Sequence, residues 1–408
     1  MIVIKTTIFP ILNYPIVKLL YITPYYKPSW YFGGPPRCIA EQAELLIRYS
    51  DYTIDVLTLN LNGNKKLFDS RKTVKQVIDG VTVHYLPHTP TPFYNYFLSR
   101  HLSNYADRLK DYDVVHIHGV FNAFSSMGMQ MAKAQKIPYI VTPHGMLDRW
   151  CVNKSKFVKL MHSTFIDNRL LAGATSVHFT TINEQNNSIL PSTVGSHVIP
   201  YLLQLEQKKC LPKPAAANEK IRAFFLGRIN VKKGLIPFLE SISLLKEKEK
   251  NKLVFDIYGN DEEGHLKEVL QVISKHNLGA VVKYKGFISP ERRSELLKDY
   301  DVMVLTSYQE NFGITVLESL QEFVPVFISD KVNLHDWIKK YDCGWITTTN
   351  KKTIATSLQE LLETPLEDIR KKGNNGVKLL AHEMDVKKLV SAYQKMYKSV
   401  LQQHLINK

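Results

Sequence analysis

The 408-residue sequence has few cysteines, no long uninterrupted apolar run and a shortage of acidic charge. Its four cysteines, Cys38, Cys151, Cys210 and Cys343, are widely separated, which argues against a zinc site and against a disulfide framework. We therefore expect reduced thiols in a cytoplasmic protein. No stretch approaches about 18 uninterrupted apolar residues, so the sequence predicts no membrane-spanning helix.

The apolar amino-terminal stretch is a poor candidate for a signal peptide. Lys5 is its only early charge, and no small-residue cleavage pattern follows. Pro10 and Pro15 interrupt it. We interpret residues 1–17 as an extension and Lys18–Thr23 as the first buried strand.

Positive charge dominates the composition. Lysine and arginine number 53 against 38 acidic residues, for a formal net charge of +15 and a pI of about 9.3. Such a balance favours an anionic partner, which leaves nucleic acid, acidic lipid and a phosphorylated small molecule open. Because no basic–aromatic module or zinc motif is present, we predict no nucleic-acid partner.

Short apolar runs alternate with amphipathic segments along the chain, which predicts βαβ units and parallel, buried sheets. The predicted strands are KLLYIT, IDVLTL, VTVHYL, DVVHIH, PYIVT, SVHFT and HVIP, then IRAFFLG, KLVFDIYG, VVKYKGF, DVMVLT, VPVFIS and CGWITT. The predicted helices include Pro36–Tyr49, Phe93–Leu109, Ser125–Gln135 and Lys156–Leu171, then Leu235–Lys246, Glu262–His276, Pro290–Leu297, Ile314–Phe323 and Lys352–Leu362.

The alternation breaks once, at Leu205–Lys220, which is rich in proline, lysine and alanine and is typical of a linker. We therefore predict two doubly wound, Rossmann-like α/β domains, 1–203 and 204–385. A final helix in 386–408 would cross back onto the first domain. Ligands of such sheets bind at the carboxyl ends of strands, so a ligand is expected in the cleft between the domains.

Two motifs at predicted strand ends suit a diphosphate. In WYFGGPPR, Gly33 and Gly34 permit close backbone approach at the start of a helix, where amides bind phosphate. In FLGRINVKKG, Arg228 and Lys233 supply cationic donors. A tight turn in the first motif and a solvated basic turn in the second stay open as alternatives.

Histidines end two further strands. His116 and His118 of DVVHIHG point to one face, and His118, at the strand end, is the better candidate for the cleft. A purely structural role remains the alternative. His144 of TPHGMLDRW is a candidate for contact with a sugar or acceptor oxygen. No carboxylate has a ligand-like spacing to these histidines, so we predict no metal site.

The stretch SYQENFGITVLE holds two glutamates, Glu310 and Glu318, around a Phe-Gly pair. Eight helical residues span roughly 12 Å. Paired glycosidase carboxyls lie about 5–5.5 Å or 6.5–9.5 Å apart, so a hydrolytic pair is disfavoured. We expect the two carboxylates to grip two ends of one elongated ligand.

Together these motifs resemble the family 4 retaining glycosyltransferases, nucleotide-sugar enzymes of the GT-B fold. The matching pieces run in the family's order from about residue 18 to about 345. The resemblance implies retaining, metal-independent transfer of a hexose-type sugar from a nucleoside diphosphate. The acceptor it implies is a glycan or lipid-linked glycan, in the biosynthesis of bacterial surface polysaccharide. It implies no cofactor beyond the nucleotide-sugar substrate.

The resemblance also implies roles for individual residues. Donor-sugar contacts are expected at Glu310, Asn311, Phe312 and Gly313, and ribose contact at Glu318. The diphosphate would bind Gly33, Gly34, Arg228 and Lys233, and His118 would lie at the reacting centre beside Glu310. The chain departs from the family pattern at Phe323 and at Ser329–Trp337, which bears on nucleobase and sugar preference.

One stretch of the sequence suits contact with a membrane, and two other function classes stay open. Basic and apolar residues share the stretch 150–171, which suits anionic lipid, although a solvated helix covering its own core stays open. We therefore predict a cytoplasmic enzyme in peripheral contact with the inner membrane. A GT-B-fold sugar-nucleotide epimerase and a non-enzymatic two-domain ligand-binding protein are the alternatives.

Overall fold

The computed structural model describes residues 17–91, 97–154, 168–206, 220–261 and 264–406. Three expectations fall wholly or largely outside these ranges. They concern the amino-terminal extension, most of the linker, and the basic stretch predicted to contact lipid.

The first domain is built on an eight-stranded sheet in the order β3-β4-β2-β1-β5-β6-β7-β8. All neighbouring strands are parallel except β3 and β4. The strands are β1 (Val17–Ile22), β2 (Tyr52–Leu59), β3 (Val74–Ile78), β4 (Val81–Leu86), β5 (Val114–His118), β6 (Tyr139–Thr142), β7 (Ser176–Phe179) and β8 (Ser196–Val198).

The expected parallel first sheet is confirmed except at the edge formed by β3. Strand β3 pairs antiparallel with β4 and was not predicted. Its residues alternate between half-buried and exposed, with Lys75 and Val77 facing solvent. An edge strand with one solvated face lacks the continuous apolar run by which the central strands were recognised.

Short helices and 3-10 turns connect these strands. The α-helices are α1 (Gly34–Tyr49), α2 (Ala123–Ala134), α3 (Arg149–Lys154), α4 (Asn168–Leu171) and α5 (Ile182–Asn187), with 3-10 turns at Trp30–Phe32, Arg100–Tyr105 and Asp107–Asp111. The predicted α-helix Phe93–Leu109 is wrong where the structure describes it, because 97–99 are irregular and the two 3-10 turns follow. A 3-10 turn has nearly the same apolar spacing as an α-helix over so short a span.

The second domain contains six parallel strands in the order β11-β10-β9-β12-β13-β14. They are β9 (Ile221–Leu226), β10 (Leu253–Tyr258), β11 (Val282–Gly286), β12 (Val302–Leu305), β13 (Val326–Ser329) and β14 (Gly344–Thr347). The strand order reverses between β9 and β12. Open α/β sheets bind their ligands at such a switch point.

Helices cover both faces of the second sheet. They are α6 (Leu235–Ser243), α7 (Glu247–Lys250), α8 (His265–Lys275), α9 (Pro290–Leu297), α10 (Ile314–Gln321), α11 (His335–Tyr341), α12 (Lys351–Glu363) and α13 (Leu366–Glu383), with 3-10 turns at Val231–Lys233 and Leu278–Ala280. The central strands are buried on both sides, as in Val302–Leu305, which explains their unbroken apolar sequences.

The last helix, α14 (Val386–Ile406), packs on the first domain. The Tyr397 hydroxyl lies 3.0 Å from the Tyr21 hydroxyl of β1 and 2.7 Å from Nδ1 of His116 in β5. The other ring nitrogen of His116 is 2.7 Å from the Thr142 hydroxyl. Both nitrogens of His116 are therefore used within the core, which makes it a structural residue.

Candidate active site

Loops that follow the carboxyl ends of strands in the two sheets lie against each other. Gly33, which follows β1, lies so close to Arg228, which follows β9, that a Cβ on this glycine would be 3.7 Å from the Arg228 Nε. A Cβ on Gly34 would be 2.6 Å from Cδ1 of Ile314, the first residue of α10. The two glycines thus allow the first domain to meet the start of that helix.

Lys233 is positioned by a turn that packs on the loop after β12. Gly234 ends this turn with φ +65°. A Cβ on Gly234 would lie 2.0 Å from the Thr306 carbonyl oxygen, so only glycine fits there. The Tyr308 N–H donates to the Lys232 carbonyl at 2.8 Å, which ties the two loops together. As a result the Lys233 ammonium contacts the Glu310 carboxylate.

The Glu310 carboxylate is held as an anion in a mostly enclosed position. Burial acts to raise its pKa, but the charges of Lys233, Lys232 and Arg228 and the hydrogen bond from Lys233 outweigh burial, and the pKa is lowered. The Glu310 backbone is also fixed. Its N–H donates to the Lys331 carbonyl at 3.0 Å, and its carbonyl accepts from Asn333 N–H at 3.1 Å.

Glu318 lies in α10, after a left-handed Gly313 (φ +71°) that begins the helix. One carboxylate oxygen contacts Arg37 of α1, and the other lies 3.5 Å from Arg293 of α9. Sequence reasoning did not assign either arginine to the site. Arg37 stands in the same WYFGGPPR motif as the two glycines, which was the available signal.

Two histidines form a connected pair at the ends of β5 and β6. Nδ1 of His118 lies 3.2 Å from Nε2 of His144, and Nδ1 of His144 lies 2.6 Å from the Tyr201 hydroxyl. Both ring nitrogens of His144 therefore contact protein groups. Burial lowers the pKa of both imidazoles, so they are neutral at physiological pH.

The Asn311-Phe312 pair meets the first domain directly. Gly145 (φ +76°) lies so near that a Cβ on it would be 2.8 Å from the Asn311 Cβ. The Phe312 ring packs edge-to-face on Tyr201, with centroids 4.9 Å apart. When the Asn311 amide nitrogen faces Glu184, it lies 3.1 and 3.2 Å from the two carboxylate oxygens.

Glu184 and Tyr201 are site residues that sequence reasoning missed. The buried Glu184 carboxylate accepts from Gly145 N–H at 2.6 Å and from Thr180 N–H at 2.7 Å. It thereby braces the loop that carries His144. Nothing in the local sequence of either residue marks a site, because their contacts with the 144–145 loop join segments that are 39 and 57 residues apart.

Among the described residues, no group of three or more histidine, cysteine, aspartate or glutamate side chains is arranged to hold a metal ion.

Comparison with known proteins identifies the family of the chain. Residues 33–187 match the family model described as "Glycosyl transferase 4-like domain", and residues 206–379 match "Glycosyl transferases group 1". The chain belongs to the family 4 glycosyltransferases. The first model covers most of the first domain of this glycosyltransferase, and the second model covers most of the second domain. The family resemblance that its motifs indicated is confirmed.

A named relative is similar to this chain in sequence, and two solved structures are similar to it in fold. A Campylobacter jejuni protein named N,N'-diacetylbacillosaminyl-diphospho-undecaprenol alpha-1,3-N-acetylgalactosaminyltransferase is 26% identical, over 72% of this chain and 79% of its own. Sucrose-phosphate synthase from Thermosynechococcus elongatus superposes with a TM-score of 0.73 at 15% identity, covering 95% of this chain and 99% of that one. Anabaena HepE in complex with UDP and glucose gives a TM-score of 0.70 at 16% identity, covering 94% and 100%. The predicted GT-B fold is confirmed.

Proposed function

We propose that this glycosyltransferase transfers a sugar, with retention and without a metal ion, from a nucleoside-diphosphate sugar to a hydroxyl of a lipid-linked glycan. The observation that carries the proposal is the Lys233–Glu310 ion pair at the strand-order switch point, with Arg228 beside it. Two cations and one anion stand together there, as a substrate with an anionic diphosphate and a hydroxyl-rich sugar requires.

The diphosphate is assigned to the space between Gly33 and the basic residues Arg228 and Lys233. A Cβ on Gly33 would lie 3.7 Å from the Arg228 Nε, so the Gly33 turn and Arg228 are near enough for one phosphate group to reach both domains. Negative charge develops on the nucleoside diphosphate as it leaves. Fixed cations stabilise that charge in the transition state, which is the task a divalent metal performs in other enzymes.

The sugar is assigned to the amino-terminal end of α10, and the ribose is assigned to the middle of this helix. Glu310 and the backbone amides at Phe312 and Gly313 lie at its amino-terminal end, where sugar hydroxyls find an anionic acceptor and N–H donors. Glu318 lies further along the helix and takes the ribose hydroxyls. Arg37 and Arg293 hold its carboxylate in place from two sides.

The transfer proceeds by front-side displacement. The bond between the anomeric carbon and the phosphate oxygen breaks, and the acceptor hydroxyl forms its bond on the same face. The acceptor proton passes to the leaving phosphate oxygen. No protein carboxylate is needed as a nucleophile, so Glu310 serves to bind the sugar rather than to attack it.

The acceptor assignment draws on the Campylobacter relative, whose name specifies a sugar linked through diphosphate to undecaprenol. A lipid-linked acceptor would bring this enzyme to the cytoplasmic face of a membrane. In the described ranges no helix has the length and apolarity to cross a bilayer, so we propose peripheral contact. The net charge of +15 favours anionic lipid.

A thermal-shift screen across nucleoside diphosphates and their sugars tests the donor. A ligand that binds the folded state raises the melting temperature, and Arg228→Ala should abolish the rise. Transfer is then assayed with the stabilising donor and a lipid-linked glycan, with the anomeric configuration read by NMR. An inverted product contradicts retention, and epimerisation of the donor without acceptor contradicts glycosyl transfer.

A further inference from the structure

We propose that Tyr201 is a positioning residue that fixes the proton arrangement of the histidine pair, so that His118 presents an N–H group, at Nε2, to the donor sugar. The inference rests on the proposed function and deepens it, because it assigns the chemical character of one contact in the same site. It concerns which atom carries a proton, and no residue besides Tyr201 is added to the site.

The first observation is an unsatisfied buried atom. Nε2 of His118 is buried and has no hydrogen-bond partner among the residues that the structure describes. The ring itself is held firmly, stacked on His116 with centroids 4.3 Å apart and on His144 with centroids 5.3 Å apart. Leaving a buried polar atom without a hydrogen-bond partner is destabilising, so a ligand oxygen is its natural partner.

The second observation is a continuous chain of hydrogen bonds from Tyr201 to that atom. Both histidines are neutral, and burial also raises the pKa of Tyr201, so the phenol keeps its single proton. Each contact in the chain therefore has one donor and one acceptor. The direction of the Tyr201 hydroxyl proton therefore determines which nitrogen carries the proton in His144 and then in His118.

The distances select one direction. The Tyr201 hydroxyl lies 2.6 Å from Nδ1 of His144 but 3.4 Å from the Asn311 amide, so its proton goes to His144. His144 must then carry its own proton on Nε2 and donate it to Nδ1 of His118 at 3.2 Å. His118 is left with its proton on Nε2, as a neutral donor.

Tyr201 is suited to this task because it also contacts the donor-binding motif. Its ring packs on Phe312, and its hydroxyl lies near Asn311, both from the second domain. His144 adopts φ +53°, a backbone conformation rare for residues other than glycine, which aims its ring between Tyr201 and His118. The proton arrangement is therefore set where the two domains meet.

The test is Tyr201→Phe, which keeps the ring on Phe312 and removes only the hydroxyl. We expect kcat to fall by about 10- to 100-fold, as is usual when the partner that orients a histidine is lost. The dissociation constant of the nucleoside diphosphate should stay within about two-fold, because Arg228, Lys233 and Glu318 are untouched. Loss of a merely structural residue would not lower kcat while leaving the dissociation constant of the nucleoside diphosphate unchanged.

The matched control is Tyr393→Phe. Tyr393 is equally buried, and its hydroxyl donates to the Pro200 carbonyl at 3.2 Å and lies 3.4 Å from His178, outside the chain to His118. Its removal should cost stability and leave kcat unchanged. Equal kcat values for Tyr201→Phe and the wild-type enzyme would overturn the proposal.

A direct measurement keeps the proposal testable if Tyr201→Phe does not fold. The ¹⁵N spectrum of histidine-labelled wild-type enzyme, with the His118 signals assigned by His118→Asn, distinguishes a proton on Nε2 from one on Nδ1. A proton on Nδ1 of His118 overturns the inference while leaving transfer intact. Failure of the wild-type enzyme to bind any nucleoside diphosphate would instead reject the proposed function.

Discussion

The Arg37 guanidinium of the first domain contacts the Glu318 carboxylate of the second domain. Arg37 also donates from Nε to Glu41 at 2.6 Å within its own helix, and Glu318 is approached from the other side by Arg293. Two acidic and two basic side chains therefore alternate across the domain boundary. The carboxylate proposed to bind ribose is held by this network.

Arg37→Met should weaken donor binding more than it weakens the fold. The Arg37 side chain is one-third exposed, so the pair contributes at most about 1 kcal/mol to the free energy of unfolding. Loss of the clamp on Glu318 should raise the donor KM several-fold with little change in kcat. The control is Arg48→Met in the same helix, where Arg48 donates to an exposed Gln204. Tighter donor binding in Arg37→Met would show that Arg37 competes with ribose.

Lys233→Met should shift the pH dependence of kcat/KM. Lys233 is the main contributor to the lowered pKa of Glu310, so its removal leaves burial dominant and the pKa rises. Because the ionised carboxylate binds the sugar, the acidic limb of the kcat/KM profile should move to higher pH. Lys232→Met removes a weaker, through-space charge and should move the limb less. If the acidic limb of the kcat/KM profile does not move in either variant, Glu310 is not the group whose ionisation controls activity.

The same ion pair predicts how stability depends on acid. A carboxyl group whose pKa is lower in the folded state stabilises the protein above its unfolded pKa, near 4.5 for a glutamate. That contribution disappears as pH falls from about 4.5 through the lower folded value. Urea unfolding across this window should show a smaller acid-induced loss of stability in Glu310→Gln than in the wild-type enzyme.

Gly145→Ala should disrupt the contact between the domains. Its Cβ would lie 2.8 Å from the Asn311 Cβ, and its φ of +76° adds backbone strain of about 1–2 kcal/mol. We expect a sharp loss of transfer activity and a lower melting temperature. Gly195→Ala provides the control, since it has no positive φ and its Cβ would meet nothing within 4 Å. Full activity in Gly145→Ala would mean that the domains need not approach so closely.

Gly234→Ala separates a clash from backbone strain. Its Cβ would fall 2.0 Å from the Thr306 carbonyl oxygen, whereas Gly264 has a similar positive φ, +79°, with open space around it. Gly264→Ala should cost only the strain, about 1–2 kcal/mol in the free energy of urea unfolding. Gly234→Ala should cost clearly more and should displace Lys233. Equal losses in the two variants would contradict this account of the Lys233 turn.

The central strands and most helices of this chain were predictable from local pattern. Leu19–Ile22 and Val302–Leu305 are buried on both faces, and such strands have unbroken apolar sequences. The prediction was wrong where that signal weakens. The edge strand β3 has a solvated face, and the segment after residue 97 forms 3-10 turns whose spacing imitates an α-helix.

The sequence by itself determined the parallel central strands of the two sheets, the family and the residue types gathered at the strand ends, because burial and turn chemistry act over a few residues. Only the tertiary structure decided which side chains meet. Lys233 and Glu310 are 77 residues apart, and Arg37 and Glu318 are 281 apart. Tyr201 reaches His144 across 57 residues with no motif of its own. Such pairings arise from the packing of the two sheets and their loops. That packing produces no repeating pattern of residue types from which the pairs could be predicted.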